Sequence, residues 1–354
     1  MSGGQSIHGR GAAANPANRF EPLRFERDAD FDPAEDSAPA TQFFRDATAS
    51  LITYNDSPDI PFTASLNPYR GCEHGCIYCY ARPTHEYLGF SAGLDFESRI
   101  MVKDRAPELL RDELASPRWK PQWLAVGTVT DAYQPVERRL KLTRQCLEVI
   151  AQARNPVGIV TKNHLVTRDT DLLVELARHD AAAVFVSITT LDSELAAKME
   201  PRASLPQHRL AAIRAMHAAG VPVGVMVAPV VPAVTDHEMA RILEAAAEAG
   251  AQFAGYVMMR LPFGVAALFE DWLARHFPER EEKVLNRIRE IRGGLLNDPR
   301  FGSRMSGEGI FADQVKQMFH VARRKAGIGE EGPRLSTASF RAPPGPQLEL
   351  FACC

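Results

Sequence analysis

VGIVTKNHLVTRDTDLLVELARHDAAAVFVSIT, residues 157–189, reads as one complete strand–helix–strand unit. VGIVTK (157–162) and AVFVSIT (183–189) are short apolar runs rich in β-branched residues, and TDLLVELARH (170–179) between them carries its apolar residues at helical spacing. Such units stack into a parallel sheet through right-handed crossovers.

The same alternation extends outward in both directions. Strands are predicted at WLAVGTV (123–129), PVGVMVAPV (222–230) and FAGYVMMRL (253–261), with a first strand near FTASLNPY (62–69). Helices are predicted at RRLKLTRQCLEVIAQAR (138–154), PQHRLAAIRAMHAAG (206–220) and DHEMARILEAAAEAG (236–250). The last two end in Gly just before the next strand, a helix-stop signal. The fold class is therefore α/β, a partial (β/α)6 TIM-type barrel with parallel strands over residues 46–265. Residues 1–45, breaker-rich and then acidic, read as a mobile N-terminal arm in which Phe20, Leu23 and Phe25 are the groups able to dock. Residues 266–326 read as a helical C-terminal extension and 327–354 as a flexible tail.

The chain has 354 residues, 45% of them hydrophobic, enough to bury a substantial core in one catalytic domain with appendages. A net charge of −3 lacks the basic excess of a protein that holds nucleic acid mainly by electrostatics, so any such contact is local. Two basic patches, Arg138, Arg139, Lys141 and Arg144, and Arg323, Arg324 and Lys325, read first as solvated helix faces. No apolar run approaches the roughly 20 residues that span a bilayer, and the N-terminus lacks a secretory core, so a cytoplasmic protein without membrane contact is expected. Of six cysteines, three share an eight-residue window, one lies in a helix and two end the chain. That is no disulfide framework, and clustered thiols in a reducing compartment suggest metal.

In parallel barrels function sits at the carboxyl ends of the strands. There, after the first strand, stands Arg70-Gly-Cys72-Glu-His-Gly-Cys76-Ile-Tyr-Cys79-Tyr80, three thiols at C-x₃-C-x₂-C. Two centres suit such a set: zinc, with His74 or His85 completing four ligands, or a [4Fe–4S] cluster held by three cysteines with one iron open. The motif, with aromatic Tyr78 before the last cysteine, resembles the radical S-adenosylmethionine (radical SAM) superfamily. Further motifs resemble its spore photoproduct lyase-like branch. These are T-D-x-Y-Q-P-x-E at Thr130–Glu137, I-x-T-K-N around Lys162, M-E-P-R at Met199–Arg202, R-L-x-A-I-R from Arg209, and A-P-x-x-P at Ala228–Pro232. Over more of its length the chain is similar to a bacterial radical SAM family of unassigned substrate.

The resemblance implies a cluster on Cys72, Cys76 and Cys79, S-adenosyl-L-methionine on its open iron, and reductive cleavage to a 5′-deoxyadenosyl radical. It implies Tyr78 beside the adenine and Thr130 and Asp131 near the amino group. It implies Lys162, Ser187 and Ala228 near the carboxylate, ribose and adenine, with Glu200 and Arg202 as further cofactor contacts. The chemistry agrees, since an ammonium suits Asp, a carboxylate suits Lys and a ribose suits a hydroxyl. The bland alternatives are strand-end polarity for Lys162 and Ser187, helix capping for Asp131 and Glu137, and a loop tie from Arg202 to Glu200. A reducing electron donor such as flavodoxin or ferredoxin is also implied. One departure stands out: Thr128 occupies the place where the lyase carries its hydrogen-donor cysteine. Cys146, on a core-facing helix stripe, does not replace it. Tyr80 and Tyr133 are the remaining groups for a hydrogen relay, although a buried Tyr is more often a packing residue.

Gln347-Leu348-Glu349-Leu350-Phe351 resembles the short peptide by which bacterial DNA enzymes dock on the sliding clamp, with Leu350 and Phe351 as apolar anchors and Gln347 at the rim. Leu348, Leu350 and Phe351 covering the chain's own groove is the alternative. Cys353 and Cys354 receive no role. The function expected is radical SAM chemistry acting on nucleic acid, in repair or modification. The alternatives are radical modification of a peptide, protein or small molecule, and, from another class, a zinc-stabilised binding module.

Overall fold

The structure is a computed structural model describing residues 7–21 and 40–344. Its strands are β1 (Gln42–Arg45), β2 (Ile52–Tyr54), β3 (Ala64–Leu66), β4 (Tyr69–Arg70), β5 (Arg99–Val102), β6 (Leu124–Val126), β7 (Val157–Thr161), β8 (Ala182–Ser187), β9 (Val223–Val230) and β10 (Phe253–Met258). Six of them form an open parallel sheet in the order β3-β6-β7-β8-β9-β10, with β2 antiparallel on the outer edge of β3. All six predicted strands are present, and the fold is a partial (β/α)6 barrel.

The helices are α1 (Leu94–Ser98), α2 (Ala106–Ala115), α3 (Glu137–Leu140), α4 (Leu142–Ala153), α5 (Thr170–Ala177), α6 (Ser193–Met199), α7 (Pro206–Ala218) and α8 (Met239–Glu248). Strand residues such as Val126, Ile159, Val184 and Val225 meet Leu147, Leu173, Ile213 and Ile242 from the helices in one continuous apolar core. Burial of these side chains supplies the main stabilising term.

The expected first strand, 62–69, is in fact two. β3 ends at Leu66, and after Asn67-Pro68 the chain enters a second sheet, ordered β1-β5-β4. Proline has no N–H to continue a ladder, so the break falls there. The cysteine loop thus leaves from the second sheet and hangs over the end of the first.

The C-terminal extension is helical as expected, with α9 (Val265–His276), α10 (Glu281–Glu290) and α11 (Ile310–Lys325). α9 and α10 bury Phe269, Trp272, Val284 and Ile288 in a second core that includes Cys76, Ile77 and Tyr78. The extension therefore packs directly against the cysteine loop.

Two expectations about the ends need correction. Residues 7–21 of the supposed mobile arm lie against the domain, with Gly11, Ala12 and Ala13 buried. They are held by hydrogen bonds from the Gly11 and Ala12 main chain and from the Asn15, Asn18 and Arg19 side chains, while Phe20, one of the groups expected to dock, stacks on Tyr87. The tail is also fixed as far as residue 344: Gly329 bridges to Phe253, Ser336 N–H donates to the Asp180 carbonyl at 2.8 Å, and Arg341 N–H to that of Ala153 at 2.9 Å. Leu23, Phe25 and the clamp-like residues Gln347, Leu348, Leu350 and Phe351 lie outside the described residues. Among the described residues no helix is long and apolar enough to cross a membrane.

Candidate active site

The cysteine loop is built on main-chain contacts. Cys72 N–H donates to the Phe96 carbonyl at 2.9 Å, Ile77 N–H to that of Met199 at 3.0 Å, and Cys79 N–H to that of Cys76 at 3.2 Å. Arg82, fully buried beneath the loop, donates to the carbonyls of Cys76 (2.9 Å) and Gly75 (3.2 Å) and pairs with Glu97 at 2.5 Å. Glu97 also accepts the main-chain N–H groups of Gly11 (3.0 Å) and Ala12 (2.9 Å), tying the N-terminal segment to the underside of the loop. Gly11 is obligatory there, because a Cβ at that position would stand 1.9 Å from the Gly75 carbonyl oxygen.

The three thiols are free, Cys72 and Cys76 buried and Cys79 half-buried. Burial pushes the Cys72 thiol up, and Asp131, Cys76 and Cys79 push it further. Burial does the same to Cys76, aided by Glu200 and opposed by Lys162. A thiolate trio in such surroundings calls for a cationic partner, and soft sulfur donors suit iron–sulfur or zinc. The histidines bear on the choice. The Asn163 carboxamide oxygen accepts from Leu165 N–H and the Ser204 hydroxyl, which turns its amide N–H to His74 Nε2 at 3.1 Å. His74 Nδ1 faces Asp131 at 3.4 Å. His85 donates from Nε2 to the Arg99 carbonyl at 2.9 Å between Phe90 and Phe96. Neither ring joins the thiols, and among the described residues no three His, Cys, Asp or Glu side chains converge on a single metal ion. The donor set fits a cluster that spreads three cysteines over separate irons.

Around Tyr78 the strand ends converge. Its hydroxyl donates to Glu200, whose carboxylate is also paired with Arg209 and accepts from Thr189 at 2.8 Å. Burial raises the Glu200 carboxyl, but Arg209 and Lys162 outweigh it and hold it at about 2. Arg209 also reaches the carbonyls of Ser204 (2.7 Å) and Ser187 (3.1 Å), bracing the end of β8. Lys162 Nζ lies 5.9 Å from the Tyr78 ring centroid and 3.5 Å from the Ala228 carbonyl, with no carboxylate in ion-pair contact among the described residues. The Ser187 hydroxyl is only 3% exposed as a residue and has no partner among them. A cation without an ion pair and a hydroxyl without a hydrogen-bond partner among the described residues thus stand beside the thiol loop.

Other expected contacts are turned inward. Asp131 accepts Tyr133 N–H (2.9 Å) and the Thr161 hydroxyl (2.8 Å) on one oxygen, and Lys162 N–H (2.7 Å) with His74 on the other. Burial raises that carboxyl, and His74 with these donors brings it down to about 2. These donors tie the end of β7 to the segment after β6 and, through His74, to the cysteine loop. Thr130 likewise gives its hydroxyl to the Tyr69 carbonyl at 3.1 Å. Arg202 pairs not with Glu200 but with Glu73 at 3.0 Å, and with the Thr41 hydroxyl at 3.1 Å, on the outer side of the cysteine loop. Tyr133 is fully buried with its hydroxyl on Asp169 at 3.1 Å, in a network with Arg168 and Glu137. Tyr80 differs: it is 46% exposed, and its hydroxyl meets the Thr128 carbonyl. Sequence reasoning gave Arg82, Glu97, Thr189 and Arg209 no role. Two of them had a signal, Thr189 at the end of the predicted strand 183–189 and Arg209 as the first residue of the R-L-x-A-I-R motif.

The radical SAM superfamily profile matches residues 66–246, which span the cysteine loop and the strand ends just described. The chain belongs to the radical SAM superfamily. A radical SAM enzyme of this family works with a [4Fe–4S] cluster and S-adenosylmethionine. Among curated relatives, an uncharacterised protein of Mycobacterium tuberculosis (strain H37Rv) is 40% identical over 234 residues, covering 66% of this chain and 68% of its own. One from Methanocaldococcus jannaschii is 26% identical over 222 residues, covering 63% and 79%. Among solved structures, a point mutant of spore photoproduct lyase superposes with a TM-score of 0.58 at 16% identity, covering 83% of this radical SAM chain and 82% of the lyase. The same lyase complexed with dinucleoside spore photoproduct gives 0.54 at 16% identity, covering 80% and 77%. At such identity the likeness is one of fold.

Proposed function

We propose that Cys72, Cys76 and Cys79 hold the [4Fe–4S] cluster and that Tyr78, Lys162, Ser187 and Ala228 surround S-adenosylmethionine, in an enzyme that modifies or repairs nucleic acid. The observation that carries the first part is the pairing of three free thiols in one loop with an ammonium without an ion pair and a hydroxyl without a hydrogen-bond partner, among the described residues, at the adjoining strand ends. When bound, the cluster and S-adenosylmethionine supply an electron and a 5′-deoxyadenosyl radical. Lys162 offers its ammonium to a carboxylate and Ser187 its hydroxyl to a ribose. Glu200 and Arg209 keep the Tyr78 ring fixed, and the α9–α10 core closes the loop from water. Arg82 holds the loop from beneath, and Asp131 ties its His74 to the ends of the neighbouring strands.

The nucleic-acid reading is supported by the solved relative's complex with a dinucleoside photoproduct and by the clamp-like peptide at 347–351. Thr128 in the place of a donor cysteine argues against the lyase's own repair reaction, because an O–H bond is too strong to return hydrogen readily to a carbon radical. The test is anaerobic reconstitution with iron and sulfide, reduction, and assay of 5′-deoxyadenosine beside Cys72→Ala, Cys76→Ala and Cys79→Ala. Product from the wild type alone supports the assignment; uptake of zinc only, or cleavage by any variant, removes it. Turnover of a peptide but no oligonucleotide would move the substrate to the other class.

A further inference from the structure

One arginine at the mouth of the barrel makes no ion pair among the described residues. Arg260 follows β10 in the turn Met258-Met259-Arg260-Leu261-Pro262. Among the described residues its guanidinium makes neither a hydrogen bond nor an ion pair. Its one close partner is the exposed Tyr80 ring, whose centroid is 4.6 Å away. The nearest acid is already taken: Asp59 pairs with Arg304 at 2.5 Å and accepts Gly302 N–H at 2.7 Å. Burial pushes the Arg260 guanidinium below its ordinary value and Arg304 adds to this, while Tyr80 and Asp59 only partly oppose it.

This is not a loose surface chain. Arg292, fully buried, donates to the carbonyls of Met258 (2.9 Å), Met259 (2.8 Å) and Ser303 (2.9 Å). Met258 N–H donates to the Met305 carbonyl at 2.8 Å and Leu261 N–H to that of Leu296 at 3.1 Å. The backbone on both sides of Arg260 is therefore fixed, and it holds in place a half-buried cation that has no carboxylate in ion-pair contact among the described residues.

Resting on the nucleic-acid reading above, we infer that Arg260 and Tyr80 form a subsite for one phosphodiester of a single strand, with the neighbouring base stacked on an exposed ring. The surroundings favour a strand over a lone carboxylate. Exposed rings recur nearby, each under an arginine that already has its carboxylate: Phe301 lies 4.6 Å from Arg304, paired with Asp59, and Phe263 lies 3.7 Å from Arg19, paired with Glu86. One unpaired cation among exposed aromatic rings suits a polymer in which bases flank each phosphate. A single uncompensated arginine also accommodates a chain whose net charge is −3, because binding is then local rather than a broad electrostatic field.

The experiment is fluorescence anisotropy of the full-length reconstituted protein with a labelled single-stranded thymidine oligonucleotide, titrated across about 50–200 mM salt. Arg260→Gln is expected to weaken binding about tenfold and to reduce the slope of log affinity against log salt by about 0.7, one phosphate's share for a single strand. Arg260→Lys keeps the slope, and Arg260→Gln loses nothing further on an oligonucleotide with an uncharged methylphosphonate backbone. Thermal melting of both variants checks the fold. Wild-type binding with an unchanged slope in Arg260→Gln overturns the subsite and leaves the nucleic-acid reading standing. Failure of the wild type to bind overturns both.

Discussion

The hydroxyl of Tyr78 rests on the carboxylate of Glu200, a residue 122 positions further along the chain. Tyr78 immediately precedes Cys79, so this contact couples the cysteine loop to the end of α6. The carboxylate is in turn paired with Arg209, fully buried on α7.

Glu200→Gln keeps the shape but leaves the Arg209 charge without a counter-ion, and breaking a buried pair in this way costs about 3–5 kcal/mol. The double variant Glu200→Gln/Arg209→Met is expected to recover part of that loss, since the stranded charge is gone. Urea unfolding of Glu200→Gln, Arg209→Met and the double variant measures it; strictly additive losses would show that the two residues do not act as a pair.

Gly11→Ala drives a methyl into the Gly75 carbonyl. Overpacking of this kind costs about 1–3 kcal/mol, and here it is relieved most easily by lifting residues 7–21 off the loop. Limited proteolysis should cut the variant earlier within that segment, and reconstituted iron should be lost faster to a chelator. Equal protection in both proteins would mean that the segment does not brace the loop.

His85 gives a pH dependence. Burial lowers its pKa to about 4, only partly opposed by the Arg99 carbonyl. The unfolded chain, with a histidine near 6.5, binds the proton more readily, so stability is full above about 6.5 and declines as pH falls toward 4. A shift of this size is worth on the order of 3 kcal/mol. His85→Phe should flatten the profile of unfolding free energy between those pH values, and an unaltered profile would assign the acid sensitivity to another group.

Lys162→Met removes the ammonium. One charge-assisted hydrogen bond contributes about 1.5–3 kcal/mol, so S-adenosylmethionine should bind the reconstituted, unreduced protein roughly 10- to 100-fold more weakly. Melting should fall only slightly, because Lys162 makes no ion pair among the described residues and acts on buried Glu200 through charge alone. Unchanged affinity by calorimetry would take Lys162 out of the cofactor site.

The six parallel strands, the helices between them, the helical extension and the cysteine loop were all legible in the sequence. Each is written in local patterns: apolar runs between amphipathic helices, glycine stops, and thiols within eight residues. What the sequence left open are pairings between distant positions. Gly11 meets Glu97 across 86 residues and Arg82 turns back under the loop, but no periodicity announces a main-chain hydrogen bond to a buried carboxylate. Asp131 looked like a ligand because an acid at a strand end suits an ammonium, and only the packed structure aims four donors at it. Arg202 and Arg209 are equally plausible partners of Glu200 by spacing; tertiary packing gives Glu200 to Arg209 and sends Arg202 to Glu73. Local hydrophobic pattern determines which segments become strands and helices, whereas the partner of a buried charge is decided by which segments the finished fold brings within 3 Å or so.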